Sequence, residues 1–378
     1  MSQDSGAKGV VRLIGESPIP IWGLRGTVRL MRAFERAGAD DVALWPGSPV
    51  EGEGLLIRAD YAMDGTLVAG LMAMGSGLLI DPATSTVVAA RAPAAEALGL
   101  AAWLGGGPAP QTALPRLTPA ELPVTHDKAL RRKGAGLLRA ITPETREEVE
   151  RALFGASYKG VTDIITKYVW PTPALHVTRL CTQLGLSANA VTALSAVLVV
   201  AAILLFLRGE YGPGLLAAWI MTFLDTVDGK LARVTVTSTQ LGNVLDHGID
   251  LVHPPIWYWA WLAGLGAAGF SVPDPALVLA IVVGGYVLQR VQEGIFLAWF
   301  KMEIHVWRPF DSWFRLITAR RNPNLVILTL AALGGRPDLG ILGVAAWTVL
   351  SLAVHGIRMV QAGFARARHG ALSSWLAA

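Results

Sequence analysis

The chain has 378 residues, 53% of them hydrophobic and only 16% charged, and its mean hydropathy is +0.47. That is too apolar for an ordinary soluble protein. The formal charge of +4 is small, and basic cytoplasmic loops of a membrane protein explain it better than nucleic-acid binding does. One cysteine, Cys181, excludes an intramolecular disulfide and reads as a structural thiol near a membrane surface.

The opening "MSQDSGAKGVVRLIGES" lacks the apolar core of a secretory signal, which places the N-terminal part in the cytoplasm. Residues 1–125 read as a small α/β domain with a largely parallel sheet. "KGVVRLI", "DVALWP" and "GLLIRAD" are short strands, "GTVRLMRAFERAGADD" and "GTLVAGLMAMG" are helices, and "GLLIDPATSTVVAARA" is a strand pair. The Gly- and Pro-rich stretch at 105–125 predicts a loop or linker. Residues 126–186 continue as linker and helices lying on a membrane face.

Six apolar segments follow within 187–378, at about 189–208, 212–233, 242–266, 274–299, 323–335 and 339–362. Arg290, Lys301, Arg308, Arg315, Arg320 and Arg321 lie in or beside the fourth connection, and Arg358, Arg366 and Arg368 follow the sixth segment. "RGEYGPG" and "GGRPD" are poorer in positive charge, so both termini are expected in the cytoplasm.

Four carboxylates interrupt this apolar half: Asp225, Asp228, Asp246 and Asp250. Each costs about 2.5–3.5 kcal/mol on membrane insertion scales, so function has to explain them. Spacings of three and four put each pair on one face of a helix. A turn near "STQLG" lets two antiparallel helices bring all four together. Clustered hard oxygens with an open face suit Mg²⁺ or Mn²⁺ beside a phosphate. Gly229, Ala232 and Gly242 remove bulk there, and Lys230 and Arg233 add positive charge. An ion-coupled transporter using the aspartates as a relay is the rival from another class. His247, His253 and His305 read as packing or interfacial residues, with no second histidine at metal spacing.

The pattern Asp225-x2-Asp228-Gly229-x2-Ala232-Arg233-x8-Gly242-x3-Asp246-x3-Asp250 resembles the signature of the CDP-alcohol phosphotransferases. The resemblance covers about residues 158–365. It implies an all-α membrane domain of six transmembrane helices among membrane lipids, commonly a homodimer. The implied activity passes a phosphoalcohol from a CDP-alcohol donor to an acceptor hydroxyl, a polyol or a lipid, with release of CMP. It makes Asp225, Asp228 and Asp246 metal ligands, and Asp250 both a possible further ligand and the general base. Gly229, Ala232 and Gly242 line the cytidine-diphosphate site, and Arg233 matches the motif's basic residue.

"GLSANAVT" resembles the family's entry to its first helix, with Asn189 and Thr192 kept and Ser187 and Ala188 replacing Thr and Pro. Asn189 and Thr192 are therefore candidates for cytidine contact, beside the ordinary reading of a helix cap. Lys159, Asp163 and Arg179, in a stretch like the family's interfacial helix, are candidates for the acceptor side, against a solvated face. Arg290 and Glu293 in "VLQRVQEGIF" are either an acceptor-binding pair or a structural ion pair. "WRPFDSWFRLITARRNPN" reads as an interfacial anchor before a phosphate site.

Residues 9–125 faintly resemble the sugar nucleotidyltransferases, with Asp60 at the place of the metal-holding aspartate. The Gly-rich triphosphate loop has no counterpart in "VVRLIGESPIPIWGLRG". The domain therefore reads as a degenerate nucleotidyltransferase-like remnant. The layout is similar to fused inositol-phosphate cytidylyltransferase / di-inositol-phosphate-phosphate synthase enzymes, which favours inositol-type chemistry.

Overall fold

The computed structural model describes residues 9–48, 54–124, 126–127, 129–238 and 240–377, without the side chains of 240–247. The chain divides into two compact units. One is Met1–Gly160 with Ala232–Thr237, and the other is Val161–Leu231 with Ser238–Ala378.

The first unit begins β1 (Val10–Ile14), α1 (Gly26–Arg36), β2 (Asp41–Leu44), β3 (Gly54–Arg58), β4 (Tyr61–Met63), α2 (Gly65–Met72). It continues β5 (Gly77–Ile80), β6 (Val87–Ala92), α3 (Ala94–Leu104) and β7 (Arg116–Leu117). Six strands form one sheet in the order β2-β1-β3-β6-β5-β7. Its two faces follow from the alternation along β3. Leu55 and Ile57 pack with Leu30 and Phe34 of α1 and Leu67 and Leu71 of α2. Leu56 joins Leu100 and Leu104 of α3 on the opposite side.

The sheet is largely parallel, as expected, with β6 as its one reversed strand. β1 pairs in parallel with β2 and β3, but β6 runs antiparallel to both β3 and β5. The cause is the short β5–β6 connection, which can only close a hairpin. The Asp81 carboxylate accepts from the Ala83 N–H at 3.0 Å, and the Asp81 N–H donates to the Thr86 carbonyl at 2.8 Å.

The stretch expected to be a loop also contributes structure. β7 adds a parallel edge to β5, and Thr118 and Glu121 form a capping box just after it. Next come β8 (His126–Asp127), β9 (Arg132–Lys133), β10 (Leu138–Ala140) and α4 (Arg146–Ala156). β10 pairs antiparallel with β4, and Trp22 Nε1 donates to the Glu150 carbonyl at 3.0 Å. These bonds tie residues 138–150 into the first unit, so the boundary by contacts falls after Gly160 and not at 125.

The second unit contains α5 (Pro171–Gln183), α6 (Ala188–Leu207), α7 (Tyr211–Val234), α8 (Gln240–Gly264) and α9 (Pro275–Leu279). A π-turn leads into α10 (Gly285–Phe300), followed by α11 (Pro309–Phe314), α12 (Arg321–Leu333) and α13 (Pro337–His369). Among the described residues, Ala188–Leu207, Pro275–Phe300 and Pro337–His369 are long and apolar enough to cross a membrane. Of the other three expected spans, α12 has 13 residues. α7 and α8 are long enough, but α7 carries Asp225, Asp228, Lys230 and Arg233, and α8 carries Asp246 and Asp250. Leu194, Val197, Val200 and Leu204 of α6 are about half exposed, as on a lipid-facing surface.

An aromatic knot joins the helices. Phe206, Tyr211 and Trp261 pack in tilted and edge-on arrangements with ring centroids 4.2–6.4 Å apart, and Trp261 Nε1 donates to the Pro337 carbonyl at 3.0 Å. α6 and α8 meet closely at Gly264. A Cβ there would lie 1.8 Å from the Phe206 carbonyl oxygen, so only glycine fits. Gly264→Ala should destabilise the second unit by about 1–3 kcal/mol, as overpacking does. A lowered unfolding temperature in detergent checks this; an unchanged one would disprove the close approach.

Candidate active site

Helix α7 is the platform. Its pitch puts Asp225 and Asp228 on one face, with Gly229, Ala232 and Arg233 in the following turn. Helix α8 supplies Asp250. Gly242 and Asp246 lie on the same helix, but their positions fall in the stretch whose side chains are outside the described residues.

Asp225 and Asp250 converge on a third group, Arg321, at the first position of α12. Its Nη2 donates to Asp225 Oδ2 at 2.5 Å, and its Nη1 donates to Asp250 Oδ1. The Asp225 and Arg321 side chains are each 15% exposed, whereas Asp250 is 43% exposed. One guanidinium thus bridges two carboxylates from different helices, leaving one negative charge in excess, and Asp250 keeps an open side. Tyr286 of α10 holds α8 in place by donating to the main-chain oxygens of Asp250 and Leu251 at 3.3 and 3.1 Å.

Asp228 is buried and accepts from the Thr192 hydroxyl at 2.5 Å. Thr192 sits one turn into α6, whose N-terminus is capped by Ser187 through the Ala190 N–H at 3.2 Å. In the entry stretch Ser187 caps the helix, and Thr192 reaches a motif aspartate. Asn189, on the same turn, is exposed.

The donor set is chemically suited to a hard divalent cation. The space between Asp225 and Asp250 already accommodates one positive group, that of Arg321. Among the described residues, no three His, Cys, Asp or Glu side chains form a ready ligand cluster. A complete set would need the Asp246 side chain.

Comparison with known proteins gives the site a context. A sequence match to the family described as CDP-alcohol phosphatidyltransferase covers residues 186–322. These residues form a CDP-alcohol phosphatidyltransferase domain. Its range opens at the Ser187 cap and closes just after Arg321, so it encloses every described residue of the site. Two curated proteins also match, both named ethanolaminephosphotransferase 1. The one from Pongo abelii is 37% identical over 87 residues, and the one from Homo sapiens is 39% identical over 83 residues. Each alignment covers 20% of this chain and 21% of the relative, so the chain spans about a fifth of the length of the curated relatives it matches.

The residues assigned to the acceptor side are distributed differently around the phosphatidyltransferase domain. Asp163 is buried at 8% exposure, and its carboxylate does not face open space. It accepts from the Thr166 N–H, the Thr166 hydroxyl and Asn322 Nδ2 at 3.0, 2.9 and 3.0 Å. Burial alone would raise this carboxyl; the Arg315 guanidinium and these hydrogen bonds outweigh it and hold the carboxyl below its ordinary value. Asp163 therefore fixes Asn322, the neighbour of Arg321. Arg179 is half-buried on α5. Lys159 belongs to the first unit.

Arg290 and Glu293 do pair, at 3.0 Å, but Glu293 also binds Arg320 at 2.5 Å and His305 Nε2 at 3.2 Å. This four-member network ties α10 to the start of α12, which favours the structural reading of the pair. His253 packs on Trp257 with ring centroids 4.6 Å apart. The His247 side chain lies outside the described residues. In the first unit, Asp60 is held by Arg58 through bonds of 3.0 and 2.6 Å.

Arg321, Asn322 and Tyr286 are the site residues that the motif does not contain. The available signal for the first two was "ARRNPN", a basic pair followed by an asparagine and a proline at a helix start. Taken alone, that stretch reads as an interfacial anchor.

Proposed function

We propose that this protein is a metal-dependent CDP-alcohol phosphotransferase of phospholipid or phospho-polyol synthesis, working at a membrane face. The observation that carries this reading is the convergence of Asp225 and Asp250, from two helices, on one cationic group inside the phosphatidyltransferase domain. The acceptor oxygen attacks the phosphorus that bears the donor's alcohol. A new P–O bond forms, the pyrophosphate P–O bond breaks, and CMP leaves with the electron pair. Asp250, with its open side, takes the acceptor's proton. Asp225, Asp228, Asp246 and Asp250 would hold Mg²⁺ or Mn²⁺, which would neutralise charge on the pyrophosphate. Thr192 orients Asp228; Gly229, Ala232, Gly242, Arg233 and Asn189 form the nucleotide side.

In the same reading, α7, α8 and α12 complete six spans with the three apolar helices. Both termini lie in the cytoplasm, and the protein is a homodimer. Residues 1–125 are a catalytically silent nucleotidyltransferase-like domain. The layout of that domain before a membrane domain supports an inositol-type alcohol, while the relatives' name supports ethanolamine phosphate.

The deciding experiment is CMP release by the purified chain in detergent with Mg²⁺. CDP-ethanolamine, CDP-inositol and CDP-diacylglycerol would each be offered with diacylglycerol, inositol phosphate and polyol acceptors. One donor–acceptor pair should release CMP, and chelation should abolish it. Absence of CMP from every pair, together with solute counterflow in vesicles, would replace the enzyme with the transporter.

A further inference from the structure

The second unit holds a cleft of about 550 Å³ that shares no residue with the aspartate site. Trp307 and Arg308 form one wall, and the last turns of α13 form the other with Arg358, Phe364, Arg368 and His369. The volume is that of a small-molecule site.

Its charge is unbalanced. Arg358 is neutralised by Asp311, with bonds of 2.6 and 2.9 Å. The same carboxylate accepts from the Arg308 N–H at 2.9 Å, which fixes the start of α11. Among the described residues, the guanidiniums of Arg308 and Arg368 have no carboxylate partner. Arg308 and Arg358 lie 4.6 and 4.4 Å from the centroid of the buried Trp307 ring, so the indole sets both groups in place. The cleft thus presents ordered, surplus positive charge to an anion, and guanidinium forks match phosphate oxygens.

The rim identifies the source of that anion. Phe364, 64% exposed, lines the cleft; Phe310, 47% exposed, lies 5.4 Å from the Arg358 guanidinium, and Trp313, 58% exposed, lies beside Phe310. Large exposed aromatics next to arginines fit the headgroup level of a bilayer. A pocket for a free phosphate compound has no use for an apolar rim.

We propose that this cleft is a second anion site, which takes the phosphate headgroup of an anionic membrane lipid. It does not depend on the catalytic reading, since none of its lining residues is among the described aspartates or their partners Thr192 and Arg321. A basic residue contributes about fivefold to anionic-lipid affinity, so removing two should weaken binding about thirtyfold.

The test is binding of a fluorescent phosphatidylglycerol to the full chain in neutral detergent, with inorganic phosphate and phosphatidylcholine as competitors. Arg308→Gln with Arg368→Gln should lose about thirtyfold in affinity, and Arg308→Lys with Arg368→Lys should retain most of it. Both positions are exposed, and unfolding temperature in detergent confirms that each variant is folded. Failure of phosphate and phosphatidylcholine to compete completes the expected result. Equal binding by wild type and the glutamine variant would overturn the site. Competition by inorganic phosphate as strong as by phosphatidylglycerol would overturn the lipid as its ligand.

Discussion

Asp250→Asn should lower CMP release by about 10²–10⁴-fold, the loss expected when a positioned base is removed. The donor's KM should change little, because the amide keeps the shape of the carboxylate and can still accept from Arg321. Asp225→Asn should lose comparable activity for another reason: it withdraws one oxygen ligand and halves the negative charge facing Arg321. The two variants separate in their metal response. Raising Mg²⁺ should recover part of the Asp225→Asn activity and much less of the Asp250→Asn activity, because metal cannot replace the base. A full rate from Asp250→Asn would exclude it as the base.

Arg321→Gln should be among the most damaging changes for the fold of the second unit. Removing one partner from a buried ion pair costs about 3–5 kcal/mol. The loss here should lie at the lower end, because Asp250 is 43% exposed and water screens it. Asp225 would be left with its charge uncompensated beside Asp250. Mg²⁺ should then stabilise the variant more than the wild type, since metal and guanidinium address the same carboxylates. Thermal unfolding with and without Mg²⁺ measures both effects. Equal stabilisation of the two proteins would mean that the metal does not share oxygens with Arg321.

The aspartates were legible in the sequence because their spacing is a local property: α7 and α8 each turn their own carboxylates to one face. The Ser187 cap was legible for the same reason. Arg321 was not, since it lies 96 positions from Asp225 and 71 from Asp250. A short basic and aromatic stretch looks like a membrane anchor until the packing of α12 brings its first residue to the aspartates. Asp163 illustrates the same limit. A charged residue in an interfacial stretch gives no sign that Asn322, 159 positions away, will occupy its carboxylate. In the first unit, the β5–β6 hairpin could be read from the turn between them. The alternation of strands and helices pointed to a largely parallel sheet, and the one reversed strand, β6, follows from that turn.

Helix α13 has 33 residues, which is about 50 Å of helix. The hydrocarbon layer is about 30 Å thick, so roughly 20 Å must project or be absorbed by tilt. Arg366, Arg368 and His369 in the last turn oppose tilt, because leaning over would draw them into the acyl chains. Arginines at the end of such an overhang would sit at or beyond the phosphate level of a layer that thick.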